Sequence, residues 1–341
     1  MLNHIKKINA IGFPRLRVVT IDITNDCNLR CPHCFISEEV RYSRPRFIDV
    51  ARFANLIPTI VKLGCKDITL FGGEPLMHPD IDALIGICRQ AGLDVTIFTN
   101  GTLLSKKIVK VLRTRLIKDM VISLYGASDY DYKQLSLNRD EHLFSVIRSG
   151  IKSAREVGLP YRLQIFYFRG CDSVYEHIKN TFPEEQIIGK AWRIIPRSAD
   201  NQRNQECMID PETMSDSLYY KGPIPHEENS LRQYLYEQNT RIGCVGVFKH
   251  IHITTDFMVK PCMFIHSPEF AFSLDNFSLE EIFFKQIPFV ALRPMDPDSP
   301  CQGCDLRKTC YRCAGFGYGT TWAKKGNQIA CRIAKIIQNQ N

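Results

Sequence analysis

The segment DCNLRCPHCF, residues 26–35, places three cysteines within eight positions. Directly before it, RVVTIDIT (residues 17–24) alternates and is rich in β-branched residues, which predicts a strand that leads onto Cys27. Three thiolates are one ligand short of a closed tetrahedral zinc site. They suit a four-iron cluster, because three cysteines leave its fourth iron open to another ligand. His33 could complete a zinc site, but it is adjacent to Cys34, and neighbouring residues rarely point at one ion.

The composition describes a globular chain with a sizeable core. The chain has 341 residues, of which 44% are hydrophobic and 10% aromatic, with no signal peptide and no apolar run of transmembrane length. We therefore expect no membrane role and a cytoplasmic location. Disulfides are rare in that reducing compartment, so clustered cysteines indicate metal binding. Four of the fourteen cysteines are scattered and are expected to be small buried hydrophobes: Cys65, Cys88, Cys171 and Cys207.

Six strand-to-helix or strand-to-loop units are predicted in the first two thirds of the chain. The predicted strands are 17–24, 67–75, 95–101, 119–126, 161–168 and 191–196, and the predicted helices are 47–64, 81–92, 105–115, 141–157 and 173–181. The strands read as apolar on both faces, which is typical of a parallel sheet with right-handed crossovers. Six units predict an α/β fold, a partial (β/α)6 TIM-like barrel, followed by a cysteine-rich C-terminal domain. Pro58 is expected to kink the first helix.

Composition divides the chain into three predicted segments. Residues 15–200 form the partial barrel, and residues 201–240 are a polar, turn-rich bridge. Residues 241–341 are organised by cysteines more than by regular secondary structure. No internal repeat is found.

The spacing Cys27-x3-Cys31-x2-Cys34 after a first strand resembles the signature of the radical S-adenosylmethionine (SAM) enzymes. In that family the three cysteines hold a [4Fe–4S] cluster whose open iron chelates SAM, and reductive cleavage of SAM gives a 5′-deoxyadenosyl radical. The FGGEP turn, residues 71–75, resembles the family's GGEP-type turn after the second strand. The resemblance implies five SAM-binding residues, the first of them near the adenine: His33, Gly72, Gly73, Glu74 and Ser123.

The residue types of the glycine turn agree with this resemblance. Gly72 and Gly73 would let the backbone approach a ligand without a Cβ in the way, and Glu74 offers acceptors for an ammonium group. A tight turn between strand and helix is the structural alternative. Arg139 and Arg148 are candidates to bind the SAM carboxylate, although a solvated helix face is the more common role for such residues.

Seven further cysteines resemble the SPASM domain, which carries two auxiliary iron–sulfur clusters. The resemblance assigns Cys301, Cys304, Cys310 and Cys331 to an outer cluster and Cys244, Cys262 and Cys313 to an inner one. CxxC spacing in isolation would favour a zinc ribbon. Two departures put the inner cluster in question: two residues, where the family usually has three, separate Cys310 from Cys313, and Phe257 replaces a common glycine. The fourth inner ligand is open between His250, His252, His266, the substrate and nothing.

Charge and resemblance together narrow the function class. The formal net charge is +8, and the cluster thiolates would bring it to about +4, so nucleic acid binding is not expected. The resemblance implies an oxidoreductase that cross-links or oxidises a ribosomally made peptide, with electrons from a flavodoxin or ferredoxin. Met263 stands where sulfatase-type maturases have an aspartate base, so formylglycine formation is not predicted. Open alternatives are a dehydrogenase or epimerase of a small carbohydrate or aminocyclitol, a zinc-stabilised binding module and a non-catalytic scaffold.

Overall fold

The computed structural model describes residues 2–36, 40, 44, 46–135, 141–166, 169, 174–191, 206–207, 226–238, 240, 242–295, 297–308, 310 and 328–339. Its strands are β1 Val18–Thr24, β2 Asp67–Gly72, β3 Asp94–Thr99, β4 Asp119–Leu124, β5 Tyr161–Phe166, β6 Ile187–Ala191, β7 His250–Ile253, β8 Met258–Lys260 and β9 Phe272–Ser273. The α-helices in these residues are α1 Leu2–Ala10, α2 Val50–Lys62, α3 Ile81–Gln90, α4 Lys106–Thr114, α5 Asp129–Leu135, α6 Leu143–Glu156, α7 Val174–Thr181, α8 His226–Glu237, α9 Leu279–Glu281, α10 Ile287–Ala291 and α11 Gln328–Asn339. None of these helices is long and apolar enough to cross a bilayer.

The strands form one open sheet in the order β6–β5–β4–β3–β2–β1–β7–β8–β9. The pairs from β6 to β7 are all parallel, and β8 and β9 join the edge in antiparallel fashion. This parallel-dominated open sheet confirms the predicted α/β partial barrel. Sequence reasoning did not anticipate β7, which comes from the predicted C-terminal segment and pairs in parallel with β1.

Two sequence-based boundaries differ from the observed elements. The sixth strand is Ile187–Ala191, earlier in the chain than the predicted 191–196, and residues 192–196 lie outside the described residues. The predicted bridge, residues 201–240, contains α8. The division into three segments stays a prediction, since the sheet itself runs from the first segment into the third through the β1–β7 pairing.

The two faces of the sheet carry different kinds of side chain. One face packs against the helices, and its fully buried members include Ile21, Leu70, Ile97, Ile122 and Leu163. The other face lines a cavity and is partly polar, with Thr20, Thr69, Ser123, Gln164 and His250. The expectation of strands that are apolar on both faces is therefore wrong, because successive side chains point to opposite faces and the helices cover one face.

Helix α2 begins and ends where its local sequence predicts. The backbone N–H of Arg52 donates to Asp49 Oδ1 at 2.7 Å, which caps the amino end of the helix. Gly64 follows the helix with φ +84°, a left-handed conformation that favours glycine. The helix continues across Pro58 as one element, so the expected kink does not divide it.

Among the residues that the structure describes, two that are not glycine adopt a left-handed backbone: Leu116 (φ 52°) and Phe257 (φ 60°). That conformation costs an L-residue about 1–2 kcal/mol. Leu116 is 59% exposed, whereas the Phe257 ring is 4% exposed and lies 4.1 Å from the Arg52 guanidinium. The turn between β7 and β8 therefore needs the conformation that a glycine would supply, and in this chain a buried ring under a cation offsets the strain.

Replacing these two residues by glycine should change stability in opposite directions. Phe257→Gly relieves strain but removes a buried ring, whose loss costs about 3–5 kcal/mol, so the free energy of unfolding should fall by about 2 kcal/mol or more. Leu116→Gly relieves similar strain with little lost burial, so stability should hold or rise by up to about 1 kcal/mol. Urea unfolding of both variants measures this, and changes of the same sign and size would contradict the argument.

Candidate functional site

The carboxyl ends of the parallel strands surround a cavity of about 590 Å³. Open α/β sheets bind ligands at this edge, because loops from several strands converge there. Nine of the predicted site residues line the cavity: Cys27, Cys31, His33, Cys34, Gly72, Gly73, Ser123, Cys244 and Cys262. The first cysteine triplet and the inner cysteine pair are far apart in the sequence, and the β1–β7 pairing brings them to one place.

The two glycines of the FGGEP turn are required by a neighbouring chain segment. A Cβ on Gly72 would lie 2.1 Å from the Thr24 carbonyl oxygen, and a Cβ on Gly73 would lie 1.9 Å from that of Asp26. The Gly73 N–H donates to the Thr24 oxygen at 2.8 Å, and the Glu74 N–H donates to the Asp26 oxygen at 2.7 Å. The two glycines are therefore needed for the close approach of Thr24 and Asp26; both also line the cavity, and their role in binding a ligand stays a prediction.

The Glu74 side chain is fully buried behind this turn. One oxygen accepts from Leu76 N at 3.1 Å and from Thr99 Oγ1 at 2.7 Å, and the other accepts from Asn100 N at 2.7 Å. Burial raises the pKa of the carboxyl to about 7, although these three donors act in the opposite direction. Glu74 therefore ties the end of β3 to the glycine turn, and its role as a ligand of the SAM ammonium group stays a prediction.

The first cysteine of the triplet is held by a hydrogen-bond network. Its backbone N–H donates to Asp26 Oδ1 at 2.9 Å. The Cys27 sulfur accepts from the Leu29 N–H at 3.4 Å and from the Asn100 amide at 3.8 Å. Asn100 Nδ2 also donates to Asn28 Oδ1 at 2.9 Å. N–H donors directed at sulfur stabilise the thiolate, the form that binds iron, so the surroundings of Cys27 fit an iron–sulfur cluster.

Tyr125 is a site residue that the sequence reasoning did not single out. It lines the cavity, and its ring centroid lies 4.7 Å from that of His33. Burial raises the pKa of its phenol well above the usual value, and the charges of the nearby thiols and of Tyr132 add to this. The phenol therefore stays protonated and able to donate a hydrogen bond. Its position two residues after Ser123, at the end of β4, is the signal that could have identified it.

The inner cysteine pair shares the cavity wall with one of the three candidate histidines. Cys244, Cys262 and His250 all line the cavity. His250 Nε2 lies 2.8 Å from Thr20 Oγ1, and a hydrogen bond joins the imidazole to the Pro261 backbone. Burial lowers the pKa of His250 to about 4, so it is neutral at physiological pH. The imidazole is thus already engaged on both sides by protein groups.

The other two histidines are placed differently. His252 is 2% exposed, and its Nε2 lies 3.0 Å from Asp22 Oδ2, so it pairs with β1. Neither His252 nor His266 is among the described residues that line the cavity. The structure thus places His250 beside the cysteine pair, and the identity of a fourth ligand stays a prediction.

Three of the outer cysteines influence one another electrostatically. Burial raises the pKa of Cys331 on α11, and the charges of Cys301 and Cys304 raise it further. The Cys310 N–H donates to the Leu306 oxygen at 2.7 Å, which places Cys310 just beyond the helical turn Asp305–Lys308 that follows Cys304. Cys313, predicted for the inner cluster, lies outside the described residues.

The two arginines proposed for the SAM carboxylate gain no support. Arg139 lies outside the described residues. Arg148 is on the exposed face of α6, where it lines a surface groove with Lys152 and Arg155 and is not among the described residues that line the cavity. Arg148 therefore has the solvated position that was its alternative.

The arrangement of the ligand side chains bears on the choice between zinc and a cluster. Zinc needs side chains that converge on a single ion, and no three His, Cys, Asp or Glu side chains in the described part of the chain do so. A four-iron cluster places each cysteine on a different iron, so its ligands are spread around a larger volume. Cys27, Cys31 and Cys34 all line one cavity, and a triplet of thiols that leaves one iron open fits the cluster better.

Comparison with known proteins identifies what this chain is similar to. Residues 21–181 match the family model described as the radical SAM superfamily. The chain is 24% identical over 334 residues to the AdoMet-dependent heme synthase of Methanosarcina barkeri, covering 89% of this chain and 93% of that protein. It is 31% identical over 224 residues to the GTP 3′,8-cyclase of Stenotrophomonas maltophilia, covering 55% and 67%. The solved structure of native anSMEcpe with bound AdoMet and Cp18Cys peptide has a TM-score of 0.66 at 14% identity, covering 94% and 95%, a likeness of fold.

Adding a methyl group at Gly73 should disturb the contact between the glycine turn and the end of β1. Gly73→Ala places a Cβ against backbone, so we expect a loss of about 1–3 kcal/mol in the free energy of unfolding. Gly86→Ala on α3 is the matched control, because its new Cβ meets the end of the Arg115 side chain at 3.1 Å and no backbone, and alanine favours helix. Urea unfolding compares them. Equal stability of the two variants would contradict the close contact.

The raised pKa of Glu74 predicts a dependence of stability on pH. Between about pH 4.5 and pH 7 the unfolded carboxyl has lost its proton while the folded one retains it, so wild-type stability falls as pH rises through this window. Glu74→Gln cannot titrate. The difference in free energy of unfolding between wild type and variant should therefore shrink by on the order of 2–3 kcal/mol from pH 5 to pH 8. Parallel pH profiles would show that Glu74 ionises normally.

Proposed function

The chain belongs to the radical SAM superfamily, and from this premise we propose that it modifies a ribosomally made peptide. It is an enzyme, and its cofactors are a [4Fe–4S] cluster and SAM. When bound, they supply a carbon-centred radical that abstracts hydrogen from the substrate. The observation that carries the proposal is the single cavity that joins the N-terminal cysteine triplet to Cys244 and Cys262.

The chain's own residues divide the cavity wall into two regions. In our assignment Cys27, Cys31 and Cys34 would hold the SAM-binding cluster, and the donors on the Cys27 sulfur would keep it a thiolate. The glycine turn and Ser123, with the His33–Tyr125 ring pair, would hold SAM.

The second region lies beside β7. Cys244 and Cys262 would hold an auxiliary iron–sulfur cluster next to the substrate, as the SPASM-like spacing predicts. His250 would orient this wall through Thr20 and would remain neutral because of its burial. A second auxiliary cluster on the outer cysteines Cys301, Cys304, Cys310 and Cys331 belongs to the same proposal.

The lining of the cavity supports a peptide more than a sugar. Phe35 contacts Phe71 and Phe264 with ring centroids 5.7 and 5.1 Å apart, and Phe71 lies 5.5 Å from Phe98. These rings make much of the wall apolar. A carbohydrate or aminocyclitol needs polar partners for most of its hydroxyl groups, and although Thr20, Ser123 and Gln164 also line the cavity, most of its exposed surface is apolar.

The size of the cavity also supports a substrate that inserts a single side chain. A volume of about 590 Å³ suits one drug-sized ligand, and SAM would take a large part of it. A solved structure of the same fold holds a peptide with AdoMet. A tetrapyrrole is the second candidate, because a relative matched over most of its length is named a heme synthase. A whole macrocycle beside SAM would need the cavity to widen.

Two cysteine variants should separate cofactor cleavage from substrate modification. Cys34→Ala should abolish dithionite-driven deoxyadenosine formation from SAM, because the cluster loses a ligand. Cys262→Ala should retain SAM cleavage but yield no modified peptide. Mass spectrometry detects the modification made by the wild type as a loss of two hydrogens from the precursor peptide. Anaerobic protein reconstituted with iron and sulfide is used for both assays.

Cys88→Ala is the matched control for these variants. Cys88 is fully buried on α3 and away from the cavity lining, so its replacement should leave both activities intact. Wild-type protein that takes up zinc without sulfide would contradict the assigned cofactors. A metalloporphyrin that binds with a Soret shift and is chemically altered, while peptides are not, would favour the tetrapyrrole.

A further inference from the structure

Helix α4 presents a row of exposed cations. Lys106, Lys107, Lys110 and Arg113 are exposed, whereas the opposite side of the helix buries apolar side chains. The helix contains no acidic residue. Within the described residues, no carboxylate pairs with these four cations, and Arg113 Nε donates to the Val157 oxygen at 3.2 Å. Some other exposed lysines do have a carboxylate partner, among them Lys62, Lys118, Lys133 and Lys152. We call Lys106, Lys107, Lys110 and Arg113 the α4 basic face.

Local stability does not explain this distribution of charge. Lys106 and Lys107 occupy the first two positions of the helix, after the cap residue Ser105. The helix dipole makes this end positive, so cations are disfavoured there and carboxylates are favoured. The two lysines also repel each other and Lys110, one turn further on. A negatively charged partner would remove both costs.

The amino end of the α4 basic face lies near the cysteine triplet. Asn28, in the triplet loop, donates through Nδ2 to Thr102 Oγ1 at 2.7 Å, and Asn100 Nδ2 contacts both Asn28 and the Cys27 sulfur. Lys106 follows Thr102 by four residues, so their Cα atoms are at most roughly 14 Å apart. The amino end of α4 is therefore tied through Thr102 and Asn100 to the loop that carries Cys27.

The basic face and the cavity are on opposite sides of the sheet. Helix α4 packs on the apolar face of the sheet through Val109 and Leu112, and its cations face outward. The cavity lies on the other face. A partner on α4 would come close to Cys27 without entering the cavity, which suits a partner that delivers electrons and does not suit a substrate.

We propose that the α4 basic face docks a small acidic electron-transfer protein that reduces the cluster held by Cys27, Cys31 and Cys34. The inference rests on the proposed cluster assignment, because only a chain with that cluster needs electrons at this loop. One electron would pass from the reduced flavin or iron–sulfur centre of the partner to the cluster that these cysteines would hold, and no bond would form or break. Opposite charges steer such encounters and raise the association rate.

A charge-reversal variant tests the docking. Lys106→Glu/Lys107→Glu should weaken binding of oxidised flavodoxin about tenfold or more at low salt, as measured by calorimetry, with the difference shrinking at high salt. The variant should fold, because glutamate is favoured in the first turn of a helix. Flavodoxin-driven deoxyadenosine formation should fall in parallel, while dithionite-driven formation stays at the wild-type rate, because dithionite does not need the docking surface.

Lys6→Glu/Lys7→Glu on α1 is the matched control, with the same change of charge on two adjacent exposed lysines. Normal flavodoxin binding by the control and weak binding by the α4 variant support the docking site. Equal loss in both variants, or unchanged binding by the α4 variant, overturns it. The docking proposal is also overturned if the α4 variant loses binding to an RNA oligonucleotide while it still binds flavodoxin normally. If dithionite yields no deoxyadenosine from wild type, the proposed function fails, and the binding data still decide the docking.

Discussion

The parallel pairing of β1 with β2 on one side and with β7 on the other is the contact on which the site depends. The cysteine triplet follows β1, the glycine turn follows β2, and β7 lies in sequence between Cys244 and Cys262. Parallel strands end at the same edge of a sheet, so three segments that are far apart in the sequence deliver their side chains to one cavity. The close contact of Gly73 with Asp26 then fixes the position of the glycine turn relative to the loop that carries the cysteine triplet.

Several features of this region cost stability where they occur. Glu74 is a buried carboxyl whose pKa burial raises, and Phe257 holds a left-handed backbone. Such costs are common near functional sites and are offset by the surrounding structure. Here the offset comes from the apolar face of the sheet, whose strand residues and covering helices form one continuous core. The well-packed apolar face of the sheet thus supports the opposite face, which carries the polar and strained residues.

Charge is distributed between the two faces in a way that separates two tasks. The thiols and aromatic rings lie in the cavity, where burial shifts the pKa of Tyr125 and of His250 toward their neutral forms. The exposed cations of α4 lie outside, on the helix that follows the Asn100–Thr102 segment in contact with the cysteine loop. A substrate that enters the cavity and a reductant that arrives from solvent would therefore not compete for the same surface.

The sequence by itself determined the features that depend on local pattern. Alternating and helical periodicities predicted the units of the barrel, Gly64 predicted the end of α2, and cysteine spacing predicted the iron–sulfur site. The tertiary structure decided that β7 completes the sheet beside β1, that Gly72 and Gly73 make room for the end of β1, and that Tyr125 belongs to the site. The physical reason is range: periodicity and spacing report on residues within a few turns of each other, whereas strand order and the surroundings of a buried side chain arise from packing between distant segments.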